Sequence, residues 1–131
     1  MRKLVPLAAA AIATAVLAPL ALGAGSTVGI TLKEFSVKPS APSVKAGSVT
    51  FKIANKGALD HEFVIVKTAL PATKLPVQND VVTLKPLKKA GPFKPGKGGS
   101  LTVSLKPGKY VLYCNVKGHY GFGQRIAFTV K

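Results

Sequence analysis

The sequence predicts an all-β protein, an antiparallel Greek-key β-sandwich of about seven to eight strands. Three observations indicate this fold class. Apolar and polar residues alternate in short runs, and Gly, Pro, Asn and Lys separate those runs. Beyond the apolar N-terminal segment, no stretch keeps a helical period with capping residues. Alternation with a period of two places one face of each strand toward a core.

The strands follow from this alternation in chain order. Residues 48–53 place Val49, Phe51 and Ile53 on one face, and residues 100–105 do the same for their leucines and valine. Residues 85–99 hold three prolines, four glycines and five lysines, so they are predicted to form an exposed loop. The predicted strands are residues 27–32 with 35–38 as a continuation or neighbour, 48–53, 61–67, a weak 81–84, 100–105, 109–114 and 125–130.

The N-terminal segment has the pattern of a secretory signal peptide. A short basic start, Met1 to Lys3, precedes the apolar residues 4–22, and small residues follow at 21–24. We therefore predict a signal peptide at residues 1–24 and one domain at residues 25–131, working in the periplasm, the cell envelope or outside the cell. The alternative is a retained membrane anchor, because the apolar run is close to bilayer-spanning length.

The charge is strongly basic, with 19 Lys and Arg against four acidic residues. No run of arginines or interleaved aromatic residues supports nucleic-acid binding, which an exported protein would rarely meet. A solvated cationic surface is the simplest interpretation. The same charge would also steer the protein toward an acidic redox partner or toward an anionic membrane or envelope surface.

The single cysteine, Cys114, requires an explanation in an exported chain, where cysteines usually pair. A metal would account for it, because the only two histidines, His61 and His119, also stand at strand ends, and Gln124 follows His119 before the last strand. One thiolate, two imidazoles and a weak axial donor suit copper, and zinc could use the same donors. Taken singly, Gln124 would be a surface residue.

Two motifs resemble the cupredoxins, the group that includes plastocyanin, azurin and sulfocyanin. The first runs from Gly108 through Cys114 to Gly118-His119, and the second joins Asn55-Lys56-Gly57 to His61-Glu62-Phe63. The resemblance implies one copper ion held by His61, Cys114 and His119. The family's usual axial methionine is replaced here by Gln124, because the only methionine is Met1.

This resemblance implies a monomeric one-electron carrier that is not an enzyme. In the family the histidine equivalent to His119 reaches the surface among apolar residues, so Tyr120, Gly121 and Phe122 are expected to form a docking patch. Two alternatives stay open at this point. One is a copper storage or delivery protein without electron transfer, and the other is a metal-free β-sandwich that serves as an interaction domain.

Overall fold

The computed structural model describes residues 10–11, 14–15 and 25–131. The predicted signal peptide, residues 1–24, thus lies outside the described residues except for four positions, and its cleavage stays a prediction. The described chain contains eleven strands. They are β1 (Ser26–Lys33), β2 (Ser36–Pro39), β3 (Ser43–Val44), β4 (Gly47–Asn55), β5 (His61–Lys67), β6 (Val77–Gln78), β7 (Val81–Val82), β8 (Lys88–Phe93), β9 (Gly98–Leu105), β10 (Gly108–Tyr113) and β11 (Arg125–Val130).

The predicted all-β class is confirmed, and the described residues form eleven strands where about seven to eight were predicted. Eight of the strands have four or more residues, and β3, β6 and β7 have two residues each. The described part of the chain contains no helix, and therefore none that is long and apolar enough to cross a membrane.

Two sheets pack face to face. The first has the strand order β2-β1-β4-β9, the second has the order β3-β11-β10-β5-β8, and β6 pairs only with β7. Most pairs are antiparallel as predicted, but β1 pairs with β4 and β3 pairs with β11 in parallel. The β1–β4 pair is parallel because the chain passes through β3 in the second sheet before it returns to the first.

The core lies between the sheets and uses the alternating residues that the sequence indicated. Val49, Phe51 and Ile53 of β4 are all buried. The Phe51 ring lies 5.1 Å from the Phe63 ring and 6.0 Å from the Phe128 ring, which joins the two sheets. Burial of each such side chain contributes about 1.5–3 kcal/mol relative to exposure.

The second sheet is also covered on its outer face. Residues 68–84 lie over it and enclose a smaller apolar cluster of Val64, Val66, Leu75, Val82, Val111, Tyr113 and Tyr120. Strands β5 and β10 are therefore buried on both faces, which explains why they have continuous apolar runs instead of alternation.

The prediction of a loop at residues 85–99 is wrong, because this segment contains β8. Strand β8 is the edge of the second sheet and pairs only with β5. Most of its residues are exposed, so burial imposes no alternation on the sequence. Pro92 is compatible with this edge position, where a missing N–H breaks no central ladder.

Candidate metal centre

The predicted site residues meet at one end of the sandwich, here called the site end. His61 is the first residue of β5, Cys114 directly follows β10, and Gln124 directly precedes β11. Strands β5 and β10 are antiparallel and adjacent, so the start of one lies beside the end of the other. The topology thereby brings His61 to the loop that carries Cys114, His119 and Gln124.

Backbone hydrogen bonds fix the shape of this loop. The Cys114 N–H donates to the Gln124 carbonyl at 3.0 Å, and the Gln124 N–H donates to the His119 carbonyl at 3.1 Å. Gly118 has φ +84° and Gly123 has φ +111°, a region that side chains with Cβ rarely adopt. The loop is therefore closed at its base and held independently of any ligand.

Three donor atoms converge within this end. The Nδ1 atoms of His61 and His119 lie 3.2 Å apart, and the Cys114 Sγ lies 4.0 Å from the first and 3.6 Å from the second. A triangle with these sides has its centre about 2.1 Å from each corner, close to metal–nitrogen and metal–sulfur bond lengths of about 2.0–2.3 Å. The three side chains are buried. One metal ion thus fits between them.

Glu34 orients His61, a role that the sequence analysis did not assign. The Nε2–H of His61 donates to Glu34 Oε1 at 2.8 Å. The same oxygen accepts the N–H groups of Ala58 and Leu59 at 2.8 and 2.7 Å. These two backbone bonds are the main cause that lowers the pKa of Glu34 to about 2. A carboxylate can only accept, so the proton of His61 sits on Nε2 and Nδ1 faces the other donors.

The segment before His61 is held by Asn55. Its Oδ1 accepts the Gly57 N–H at 2.9 Å, and its Nδ2 donates to the carbonyls of Leu59 and Phe93, both at 2.8 Å. Asn55 is fully buried, so these bonds also satisfy its amide. The Asn-Lys-Gly motif noted in the sequence thus shapes the turn before His61, whose Ala58 and Leu59 N–H groups bind Glu34.

The Cys114 side chain is buried, and its sulfur accepts a hydrogen bond. Its Sγ accepts the Glu62 N–H at 3.2 Å. Burial raises the pKa of the thiol, and this hydrogen bond acts in the opposite direction. A metal that binds here must displace the thiol proton, so binding is coupled to proton release.

His119 lies near the surface but is only 8% exposed. The Phe35 ring packs edge-on against its imidazole at 5.1 Å, and the Phe122 ring lies 5.0 Å from Phe35. Burial lowers the pKa of His119, and the charge of nearby His61 acts in the same direction. Neutral imidazole is the form that binds metals.

The expected docking patch needs one correction. Phe122 is 71% exposed, as a patch residue should be, but Tyr120 is buried. The Tyr120 hydroxyl donates to the Ala72 carbonyl at 2.6 Å and accepts the Leu75 N–H at 2.9 Å. Tyr120 therefore anchors the loop to the segment that covers the second sheet. Phe35, a half-buried residue in the turn between β1 and β2, contacts Phe122 and takes the place expected for Tyr120.

Gln124 is fully buried beside the site and not on the surface. Its Nε2 donates to the carbonyls of Lys33 and Ser36 at 3.0 and 3.2 Å. Its Oε1 is buried without a hydrogen-bond partner among the described residues. The Gln124 side chain partly offsets the lowering of the His119 pKa that burial causes. A buried amide oxygen without a partner costs free energy, and a metal ion would satisfy it.

The donor set suits copper. Two imidazole nitrogens and one thiolate form a trigonal set, and a glutamine oxygen is a known weak axial donor in blue-copper sites. The buried Gln124 oxygen without a hydrogen-bond partner among the described residues independently supports a metal ion at this site.

Comparison with known proteins agrees with this fold. The sequence model of the cupredoxin-like domain matches residues 6–124. No curated protein sequence matches the chain.

Solved structures with a similar fold include two auracyanins and a rusticyanin. Dithionite-reduced auracyanin from Roseiflexus castenholzii is 22% identical over 83% of this chain and 99% of that chain, with a TM-score of 0.61. Auracyanin A, a "blue" copper protein from Chloroflexus aurantiacus, is 23% identical over 82% and 100%, with a TM-score of 0.61. Rusticyanin from Thiobacillus ferrooxidans is 21% identical over 82% and 79%, with a TM-score of 0.58.

At these identities the structural similarity establishes the fold, while the family match spans most of the chain. The buried cluster of His61, Cys114 and His119 has the donor types of a copper site. The protein is a member of the cupredoxin-like domain family, and its cofactor is one copper ion.

Proposed function

We propose that the protein is an exported type 1 copper protein that carries single electrons. His61 Nδ1, Cys114 Sγ and His119 Nδ1 would hold the copper ion, and Gln124 Oε1 would be a fourth, weaker donor. The observation that supports this assignment best is the convergence of the three buried atoms within 4.0 Å of one another. The buried Gln124 oxygen, which has no hydrogen-bond partner among the described residues, supports its role as the fourth donor.

Bound copper supplies a one-electron couple between Cu(I) and Cu(II). The residues of the chain keep the donor positions fixed between the two states. Glu34 holds the His61 ring, the Glu62 N–H holds the Cys114 sulfur, and two backbone carbonyls hold the Gln124 amide. A site that rearranges little on oxidation and reduction has a low barrier to electron transfer.

His119 provides the shortest route for an electron between the copper site and the protein surface. It is the only one of the three clustered donors that is not fully buried, and Phe35 and Phe122 surround it with apolar surface. A redox partner that docks on these rings would bring its own centre close to the imidazole. The small exposed fraction of His119 also limits access of water to the donors.

Copper storage or delivery is the alternative function, and it would use the same donor residues. The burial of His61 and Cys114 disfavours rapid release of the ion. The loop that is closed by the backbone hydrogen bond from Cys114 to Gln124 would have to open first. Electron transfer is therefore the better-supported function.

Export and the choice of partner belong to the same proposal. The basic start and apolar run at residues 1–24 support export to the periplasm, the cell envelope or the exterior. The net charge of +15 supports an acidic redox partner. A monomer would leave the surface around Phe122 free for that partner.

Metal analysis and a visible spectrum of the protein loaded with Cu(II) test the proposal. We expect one copper per chain, an intense visible band from charge transfer out of the Cys114 thiolate, and a reversible one-electron wave in voltammetry. Cys114→Ser should remove the band and keep the β-sheet signal in circular dichroism. Stoichiometric zinc without colour, or copper that does not cycle reversibly, would contradict the electron-carrier function.

A further inference from the structure

The end of the sandwich opposite the copper site is strongly basic. Strand β5 runs away from the site to Lys67, and β10 runs from Gly108 back toward it, so the residues around these two positions lie at the far end. We name this surface the basic pole. It comprises six exposed lysines: Lys45, Lys67, Lys85, Lys106, Lys109 and Lys131.

These lysines form one continuous surface. Lys67 and Lys85 line one shallow cavity with Leu87, and Lys67, Leu87 and Lys106 line the next. On the other side, the Ala46 N–H donates to the Lys131 carbonyl at 2.8 Å, which places the Lys45 segment beside the C-terminal residue. The pairing of Gly47 with Leu105 then connects that segment to Lys106.

All four acidic residues of the chain lie at the opposite, site end. Glu34 contacts His61, Asp60 precedes His61 in the chain, and Glu62 donates to Cys114. The Asp80 carbonyl accepts the N–H of Gly118, which lies in the copper loop, the loop from Cys114 to Gln124. The site end thus mixes both signs of charge, whereas no acidic residue of the chain offsets the lysines of the basic pole.

Exposed apolar side chains lie among these lysines. Leu87 is 47% exposed and lies between Lys67 and Lys85. Leu70 is 44% exposed, in a loop that is held near Lys109 because the Thr68 N–H donates to the Lys109 carbonyl. Long basic side chains around exposed leucines are typical of surfaces that rest in the headgroup region of a bilayer. The leucines enter the apolar boundary there, and the ammonium groups remain at the phosphates.

The chain also enters the sandwich at the basic pole. Strand β1 begins at Ser26, which pairs with Val49 near the start of β4, so Gly25 lies at the far end. In the sequence the apolar run of residues 4–22 ends only three residues before Gly25. The part of the chain with the greatest affinity for a membrane therefore joins the domain at its most basic surface.

We propose that the basic pole binds the surface of an anionic lipid bilayer and holds the copper site away from it, toward the aqueous phase. Each lysine near an anionic surface is attracted within a Debye length, and the absence of acidic residues leaves this attraction uncompensated. Binding uses neither the copper ligands nor their loop. This proposal depends on the proposed function in one respect only: the copper site, at the end that faces the aqueous phase, is the part that would transfer electrons.

Vesicle co-sedimentation tests this proposal. It uses the protein as it is purified, whether or not the N-terminal segment has been removed. We compare phosphatidylcholine vesicles with an equal mixture of phosphatidylcholine and phosphatidylglycerol, at low and high salt. Tighter binding to the anionic mixture, lost at high salt, is expected. The triple variant K85Q/K106Q/K109Q should weaken that binding by about 100-fold, since each of the three lysines contributes roughly a fivefold factor.

A matched variant at the site end, K56Q/K94Q/K97Q, removes the same charge and should weaken binding by less than about twofold. Equal losses in both variants would mean that only the net charge matters and would overturn the proposal. Equal binding to both kinds of vesicle would also overturn it, and so would no binding, the result expected if the pole binds an acidic protein instead. Copper-free protein should behave like copper-loaded protein, so failure of the copper assignment would not affect this result.

Discussion

At the scale of single residues, Gln124 has two separate tasks. Its amide nitrogen donates to the carbonyls of Lys33 and Ser36, and its oxygen, which has no hydrogen-bond partner among the described residues, is the proposed fourth donor to copper. A thioether can replace neither the nitrogen donor nor the hard oxygen. Stability and reduction potential should therefore respond differently when this residue is changed.

We predict that Gln124→Met raises the reduction potential, because an amide oxygen favours Cu(II) more than a thioether does. Each tenfold change in the one-electron equilibrium corresponds to about 59 mV. The variant should also lose about 1–3 kcal/mol of unfolding free energy, since two buried carbonyls lose their donor. Voltammetry and denaturant unfolding measure the two effects. Unchanged potentials in both Gln124→Met and Gln124→Ala would remove Gln124 from the site.

Glu34 acts on copper through His61. We predict that Glu34→Gln lowers copper affinity by about 10- to 100-fold, because outer partners that orient a ligating histidine have effects of this size. An amide no longer imposes the proton on Nε2 and no longer offers a carboxylate to the N–H groups of Ala58 and Leu59.

Competition with a copper chelator measures this affinity, and the visible band reports the ligand geometry. Asp60→Asn removes a neighbouring exposed carboxylate and serves as the control, with little change expected. If the two variants bind copper equally well, Glu34 does not position His61.

At the scale of elements, the pairing of β4 with β9 depends on a glycine. A Cβ on Gly98 would overlap the carbonyl oxygen of Ile53 on the neighbouring strand. Backbone cannot move aside as a flexible side chain can, so Gly98→Ala should push the start of β9 away from β4. This end of the pair also leads to Lys97, whose carbonyl accepts the Asn55 N–H at 2.8 Å.

We predict that Gly98→Ala lowers the unfolding free energy by about 1–3 kcal/mol, as overpacking does elsewhere. Gly29→Ala in β1 is the matched control, because its Cβ would meet Ser40 only at 3.6 Å, an ordinary contact. The control should change stability by less than about 1 kcal/mol. Urea unfolding of both variants checks the difference, and equal effects would contradict the steric argument.

At the scale of the whole molecule, buried tyrosines set the response to alkaline pH. Burial raises the pKa of Tyr110 above its usual value of 10.0. Burial and the charges of Glu62 and Tyr120 raise the pKa of Tyr113 to about 12. A raised pKa means that the folded protein holds the proton more tightly than the unfolded chain. The corresponding stability is complete below about pH 10 and is lost as the pH rises through the folded-state values.

We predict that unfolding free energy falls between pH 10 and about 12, and that Tyr110→Phe makes this fall shallower. Ultraviolet absorbance of phenolate, recorded for folded protein and for protein in denaturant, measures the ionisation directly. Coincident titration curves would show that burial has no effect on these tyrosines.

Strands with alternating buried and exposed residues could be predicted from the sequence alone, because burial between two sheets imposes a period of two on β4 and β9. The sequence also identified the buried cluster, since His61, Cys114 and His119 are the only residues of their types in the chain. Strand β8 was missed because an exposed edge places no such pattern on its residues.

The residues that surround the three donors could be identified only in the folded structure. Glu34 lies 27 positions before His61, and the two meet because the turn after β1 and the turn after β4 lie at the same end of the first sheet. The burial of Gln124 and Tyr120 likewise depends on contacts with residues far away in the chain. Such long-range contacts leave no local period in the sequence, and so composition and spacing alone could not reveal them.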